Sequence, residues 1–252
     1  MSVPLSDLGP PLLTSWPHDL GCAEAEFYRE LGSTNDHARQ RIADRIATPA
    51  LIVAERQTSG RGRGNHRWAA DIGALTFSLI LDPDCRCGQG WVSLATAIGV
   101  GEAIASHTAI RPQWKWPNDV WCHARKVAGI LLETTASRLI VGVGLNVNNR
   151  IPTPLSDSAV SLHELTGHPL GLAELLQAIV RQITTRLATD ASQLHPLWAR
   201  HCALRDRRIT VTQADETWTG RCGGVLPSGR LSLRPEDGDA LEFASGTVRV
   251  TD

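Results

Sequence analysis

The chain is poor in lysine. Lysine and arginine together number 25 in 252 residues, yet lysine stands only at 115 and 126 and every other basic residue of the pair is arginine. A compact ammonium and a planar guanidinium are not interchangeable, so a surviving lysine can mark a place arginine cannot fill. Net charge is also lacking. The formal value is -1, which excludes a general electrostatic grip on nucleic acid. No apolar run approaches the length of a membrane span. The first twenty residues lack a basic segment followed by an apolar one, so no signal peptide is read. The six cysteines are scattered, and the one close pair, Cys85-x-Cys87, fits neither zinc nor thioredoxin-type spacing. Free thiols in a reducing cytoplasm are expected. There is no internal repeat, no G-x-G-x-x-G before a helix and no G-K-[ST].

What is present is a packed-core composition, 42% hydrophobic, with mixed periodicity. "GSTNDHARQRIADRIA" (32–47) opens with a helix start, Ser33 or Thr34 being able to cap the free amides. "ALIVAE" (50–55) and "ALTFSLIL" (74–81) read as core strands. Residues 90–108 have helical spacing, and 112–149 read as several strands with tight turns at "HAR" and "TAS". Residues 150–160 form a Pro- and Ser-rich loop, 170–190 a strongly amphipathic helix and 192–203 a shorter one. After residue 204 short β-like runs alternate with turns. The expectation is an α+β fold, a mixed and mostly antiparallel sheet packed with helices, followed by a small β-barrel. The divisions are an N-terminal extension (1–31), a main domain (32–203) and the β domain (204–252).

Four stretches can carry chemistry. "GRGRGNHRW" (60–68) puts mobile backbone amides beside Arg61, Arg63 and Arg67, a combination suited to carboxylate or phosphate; it also reads as a plain hairpin loop. "KWPNDVWCHARKVAGILLE" (115–133) carries both lysines across a hairpin, with Asn118 and Asp119 at a strand end, able to face a metal ion or to form an ordinary Asx turn. "VGVGLNVNN" (141–149) alternates small and apolar residues, which marks either close approach of a ligand or a crowded sheet. "GSTN" is a helix start, and such a start is also an anion site.

In this order and spacing, "GSTN", "Q-x-x-GRGR…W", "KWPND" with "K-x-x-GIL", and "GxGxN" resemble the biotin–protein ligases, from Gly32 to the C-terminus. The resemblance implies biotin, ATP and Mg2+ as ligands. It implies formation of biotinyl-5'-AMP and transfer of biotin to a lysine of a carrier domain, such as that of acetyl-CoA carboxylase. Ser33, Thr34 and Asn35 then match the biotin-contacting helix start. Gln57 and Gly60, Arg61, Gly62 and Arg63 match the loop over the adenylate, with Trp68 packing beneath it. Lys126, with Arg63, is the implied catalytic residue. Lys115, Asn118 and Asp119 lie toward the phosphates, the last two toward magnesium. Gly129 lies beside the ureido ring, and Gly142, Gly144 and Asn146 line the adenylate side. The C-terminal domain is implied to be SH3-like, and a homodimer is left open.

One departure stands out: Asn65-His66 replace the family's second Gly-Arg, with Arg67 or a protonated His66 as substitutes. Residues 1–31 are too few for the winged helix of repressor members, so no DNA binding is expected. The rival readings are a lipoate–protein ligase of the same core fold, which would lack the GRGR loop, and a sensor without turnover.

Overall fold

A computed structural model describes residues 20–64, 66–69 and 71–251. The first nineteen residues of the expected N-terminal extension and Asn65 of the loop lie outside the described residues. Seven strands form the main sheet: β1 Glu24–Leu31, β2 Ala50–Gln57, β3 Leu75–Leu81, β4 Gln113–Lys115, β5 Asp119–Cys122, β6 Arg125–Thr134 and β7 Leu139–Leu145. Their order is β1-β2-β3-β7-β6-β5-β4. Only β1 and β2 run parallel; the other pairs are antiparallel, as the sequence leads one to expect. β1 itself was not expected. It lies in the segment read as an N-terminal extension, yet it hydrogen-bonds along β2 through seven register pairs from Glu24↔Ala50 to Leu31↔Gln57.

Alternation along the strands sends successive side chains to opposite faces. On one face, Leu51, Val53, Phe77, Leu79, Val141, Val143 and Leu145 meet the helices α2 (Val92–His107) and α4 (Leu172–Leu187) in one large core. Helix α4 presents Leu172, Leu175, Leu176, Ile179, Val180 and Ile183 as a buried stripe. Each such fully buried side chain contributes about 1.5–3 kcal/mol relative to exposure. The opposite face is served by a smaller cluster. There Ala50, Ile52, Ile80 and Ile140 pack under Ala38 and Ile42 of α1 (Thr34–Ala43). That helix covers only part of the face. The rest, across β3, β7 and β6, is left for the site.

Short helices α3 (Leu162–Thr166) and α5 (Ala191–His201) lead to the C-terminal strands β8 Arg208–Gln213, β9 Glu216–Val225, β10 Leu231–Arg234, β11 Leu241–Phe243 and β12 Thr247–Val250. These form an antiparallel sheet of order β11-β10-β9-β8-β12. The expected barrel is corrected to an open sheet: β11 and β12 stand at its two edges and do not pair with each other, so the ladder does not close. Two tryptophans of the main domain pin its β9–β10 turn. Trp91 Nε1 donates to Pro227 O at 2.7 Å and Trp116 Nε1 to Gly229 O at 3.1 Å.

Candidate active site

The uncovered face has a floor stripped of side chains. On β7, Gly142 and Gly144 replace the large residues that the other face carries, and Gly144 sits opposite Gly129 of β6. Neither glycine tolerates a methyl group. A Cβ on Gly142 would meet Asn35 Oδ1 at 2.2 Å, and one on Gly144 would meet the indole of Trp68 at 2.3 Å. The Trp68 indole N–H is buried and has no hydrogen-bond partner in the protein.

At one end of this floor the start of α1 is held by other strands. Ser33 has the extended backbone of a cap, but its side chain makes no capping bond. Instead Thr34 N donates to Gln57 Oε1 at 2.7 Å, so the cap comes from the end of β2. The expectation that Ser33 or Thr34 caps the helix is corrected accordingly. Asn35 is buried; its Oδ1 lies 2.6 Å from Ser78 Oγ and its Nδ2 2.9 Å from Glu133 Oε2.

The opposite end is cationic. The β5–β6 hairpin turns on His123 and Ala124, both with positive φ, and so folds Lys126 back toward Lys115. Both reach one carboxylate: Lys126 Nζ lies 2.6 Å from Asp119 Oδ1, and Lys115 Nζ 4.0 Å from Asp119 Oδ2. Lys126 Nζ also sits 5.7 Å over the Trp68 ring. Burial holds the Lys115 ammonium below its ordinary range; Asp119 opposes this, while Lys126 and Arg249 add to it. Asn118 is spent on the hairpin, its Nδ2 donating to Ile130 O at 2.7 Å.

The glycine loop folds over the gap as a small hairpin. Arg61 bridges to Arg67, Gly62 N donates to His66 O at 2.8 Å and Trp68 N to Gly60 O at 3.0 Å. Arg61 is tied down by Asp36 at 2.6 Å and Glu133 at 2.9 Å. Burial disfavours its charge, but these two acids outweigh that and raise its pKa. Arg63 differs. It donates to Gly246 O at 2.6 Å, and burial lowers its pKa against the pull of Asp119.

The result is one cavity of about 500 Å³. It collects Ser33, Thr34, Asn35, Gln57, Arg61, Gly62, Arg63, Trp68, Lys115, Asn118, Asp119, Lys126, Gly129, Gly142 and Gly144, residues spread over 112 positions (33 to 144) that the sequence reading had picked separately. Two picks stand outside the lining. Gly60 lies beneath the Trp68 carbonyl, and Asn146 is buried in a turn, accepting from Asn149 Nδ2 at 3.1 Å. The sequence reading missed the outer wall, where Gln213 and Ala214 of the β8–β9 turn and Ser245 and Gly246 before β12 face the cavity. It also missed Glu133. A turn such as "TQADE" (212–216) carries no local signal for a site formed with another sheet. Among the described residues no group of three His, Cys, Asp or Glu could hold a metal ion. Nor, among the described residues, is any helix long and apolar enough to cross a membrane.

Comparison with known proteins agrees with this geometry. Residues 29–148 match the biotin/lipoate A/B protein ligase family. The chain is 35% identical over 236 residues to the bifunctional ligase/repressor BirA of Escherichia coli, covering 87% of this chain and 72% of that protein. It is 31% identical over 218 residues to the biotin–[acetyl-CoA-carboxylase] ligase of Paracoccus denitrificans, covering 80% of this chain and 90% of that one. The biotin protein ligase of Aquifex aeolicus, solved in complex with biotin and ATP, superposes with a TM-score of 0.84 at 28% identity, over 91% of this chain and all of that one. The chain therefore belongs to the biotin/lipoate A/B protein ligase family, among its biotin protein ligases, and is a ligase.

Proposed function

We propose that the chain activates biotin with ATP to give biotinyl-5'-AMP and pyrophosphate, then passes the biotinyl group to a lysine of a biotin carboxyl carrier domain. The observation that carries the reading is a flat glycine floor leading to two lysines gathered on one carboxylate. The glycines let the Trp68 indole and the Asn35 amide lie directly on the sheet, which lowers the floor enough for a thin bicyclic ring above them. Ser33, Thr34, Asn35 and Gln57 offer the polar groups for its ureido end.

The first step sets anion against anion. A biotin carboxylate oxygen attacks the α-phosphorus, and the bond to the pyrophosphate oxygen breaks. Lys126 is the catalytic residue in this reading, its ammonium bridging the carboxylate and the α-phosphate. Lys115 and Arg63 add charge on the phosphate side. Positioned cations in a water-poor cavity offset the repulsion and stabilise the developing charge. In the second step the acceptor amine attacks the acyl carbon and AMP leaves. The loop, with Gly60 and Trp68 at its base, shields the mixed anhydride from water until then.

The residues also bear on magnesium. Asp119 is a single carboxylate already shared by two ammonium groups, and Asn118 is engaged with the backbone. That donor set suits a hydrated ion delivered with the nucleotide phosphates, which magnesium prefers, rather than a resident ion. Magnesium so delivered would neutralise phosphate charge. Adenylate contacts by Gly142 and Gly144, a place in the cytoplasm and a carrier from acetyl-CoA carboxylase or a related carboxylase belong to the same reading. No repressor role is proposed.

Pyrophosphate release from ATP and magnesium, with biotin, with lipoate and with neither, tests the proposal. Release with biotin alone is expected. Release with lipoate instead moves the chain to another branch of the family, and biotin binding without release makes it a sensor.

A further inference from the structure

We infer that Glu133 is a positioning residue that ties the glycine loop to the floor with one carboxylate. The inference rests on the functional reading above. Glu133 stands near the end of β6, on the face of Gly129 and Leu131, with its side chain only 14% exposed. Its Oε1 accepts from Arg61 Nη2 at 2.9 Å and from Arg39 Nη2 at 2.7 Å, while its Oε2 accepts from Asn35 Nδ2 at 2.9 Å. Charge-assisted bonds of this kind are short and directional.

Two consequences follow from this placement. The first concerns the floor. With its Nδ2 held by Glu133, the Asn35 amide turns its Oδ1 to Ser78 and over Gly142. The polar edge offered to a substrate ring is thereby fixed in orientation. The second concerns the loop. Arg61 spends its charge on Glu133 and Asp36, whereas Arg63 has a neutral carbonyl for its hydrogen-bond partner. Arg61 is therefore the anchor and Arg63 the cation left to meet an incoming anion. Asp36 does not replace Glu133: it holds Arg61 and Arg39, but no bond joins it to Asn35, and its side chain is 50% exposed.

If Glu133 sets the closed arrangement, its loss lowers the fraction of molecules ready to bind, and apparent affinity falls by that fraction while the loaded complex still reacts. Glu133→Ala is expected to raise KM for biotin about 10- to 100-fold in biotin-dependent ATP–pyrophosphate exchange, with kcat within about threefold. Glu133→Gln keeps one acceptor oxygen but turns the other into an NH2 donor, so it serves Arg61 or Asn35 but not both and restores only part of the loss. Asp36→Asn produces a smaller rise. Hydrogen exchange supplies a readout independent of turnover: amides 60–64 exchange faster in Glu133→Ala than in the parent chain, and Glu133→Gln lies between them.

The inference is overturned if loop exchange and KM in Glu133→Ala match the parent. It is also overturned if KM and kcat fall off together with the melting temperature and Gln restores neither, because Glu133 is then only scaffold. A parent chain with no biotin-dependent exchange would instead defeat the functional reading, and the loop amides would still decide the role of Glu133.

Discussion

Strand β7 has two unlike faces. Toward helices α2 and α4 it presents Leu139, Val141, Val143 and Leu145, all buried in the large core. On the opposite face it presents Ile140, packed beneath α1, then Gly142 and Gly144 at the cavity. The same seven residues hold the fold on one side and clear a floor on the other. Stability and function are thus separated by alternation along a single strand, and each face can be damaged without the other.

The sharpest way to break that contrast is to fill the floor. Gly144→Val places branched carbons where the Trp68 indole lies. Biotin-dependent exchange is expected to drop at least about 100-fold, since a misplacement near 1 Å can cost that much. Its mirror is Leu145→Ala, one residue along and on the core side, fully buried. There the expected loss is about 2–5 kcal/mol of stability, read by denaturant unfolding, with KM for biotin nearly unchanged. If both variants lose stability and activity alike, the two faces are not separate.

A smaller effect concerns the cationic end. The chain has two lysines, so selective 15N labelling yields two side-chain signals that can be followed directly. Lys115 is expected to lose its proton below its ordinary value of 10.5, because burial penalises its ammonium. The sign for stability is set by that direction. Between the depressed folded value and the unfolded one, the unfolded chain binds more protons, so this group's contribution to stability rises with pH across that window. A Lys115 signal titrating at or above 10.5 would contradict the burial described.

The smallest effect repeats the contrast between buried and open sites in the thiols. Cys122 and Cys222 are buried, with their thiols pushed up to about 12 by burial. Cys85 is partly open, and a hydrogen bond from Cys87 holds its thiol down to about 7. Alkylation followed by peptide mapping should mark Cys85 first, at a rate rising with pH through 7 as the thiolate forms. Labelling of Cys122 at comparable speed would contradict it.

Much of this was legible in the sequence because the informative residues are local oddities. Glycines at 142 and 144 interrupt a strand, "HAR" marks the hairpin that returns Lys126, and "GSTN" marks the start of α1. What was not legible depends on distant pairing. Strand β1 lies in a segment with no clear alternation and is defined by its ladder to β2. Glu133 looks like an ordinary strand-end acid until Arg61 and Asn35 are brought to it from 72 and 98 positions away. Gln213, Ala214, Ser245 and Gly246 read as turn residues and acquire their place only when the second sheet docks beside the loop.

The central claim is that the glycine face is where the acid substrate lies. A crystal structure of the chain with biotin and ATP tests it most directly. The bicyclic ring is expected over the floor that Gly129, Gly142 and Gly144 form beneath Trp68 and Asn35, with its carboxylate in hydrogen-bond reach of Lys126 Nζ. A ring bound elsewhere, or a carboxylate turned away from Lys126 toward Gln57, would contradict it.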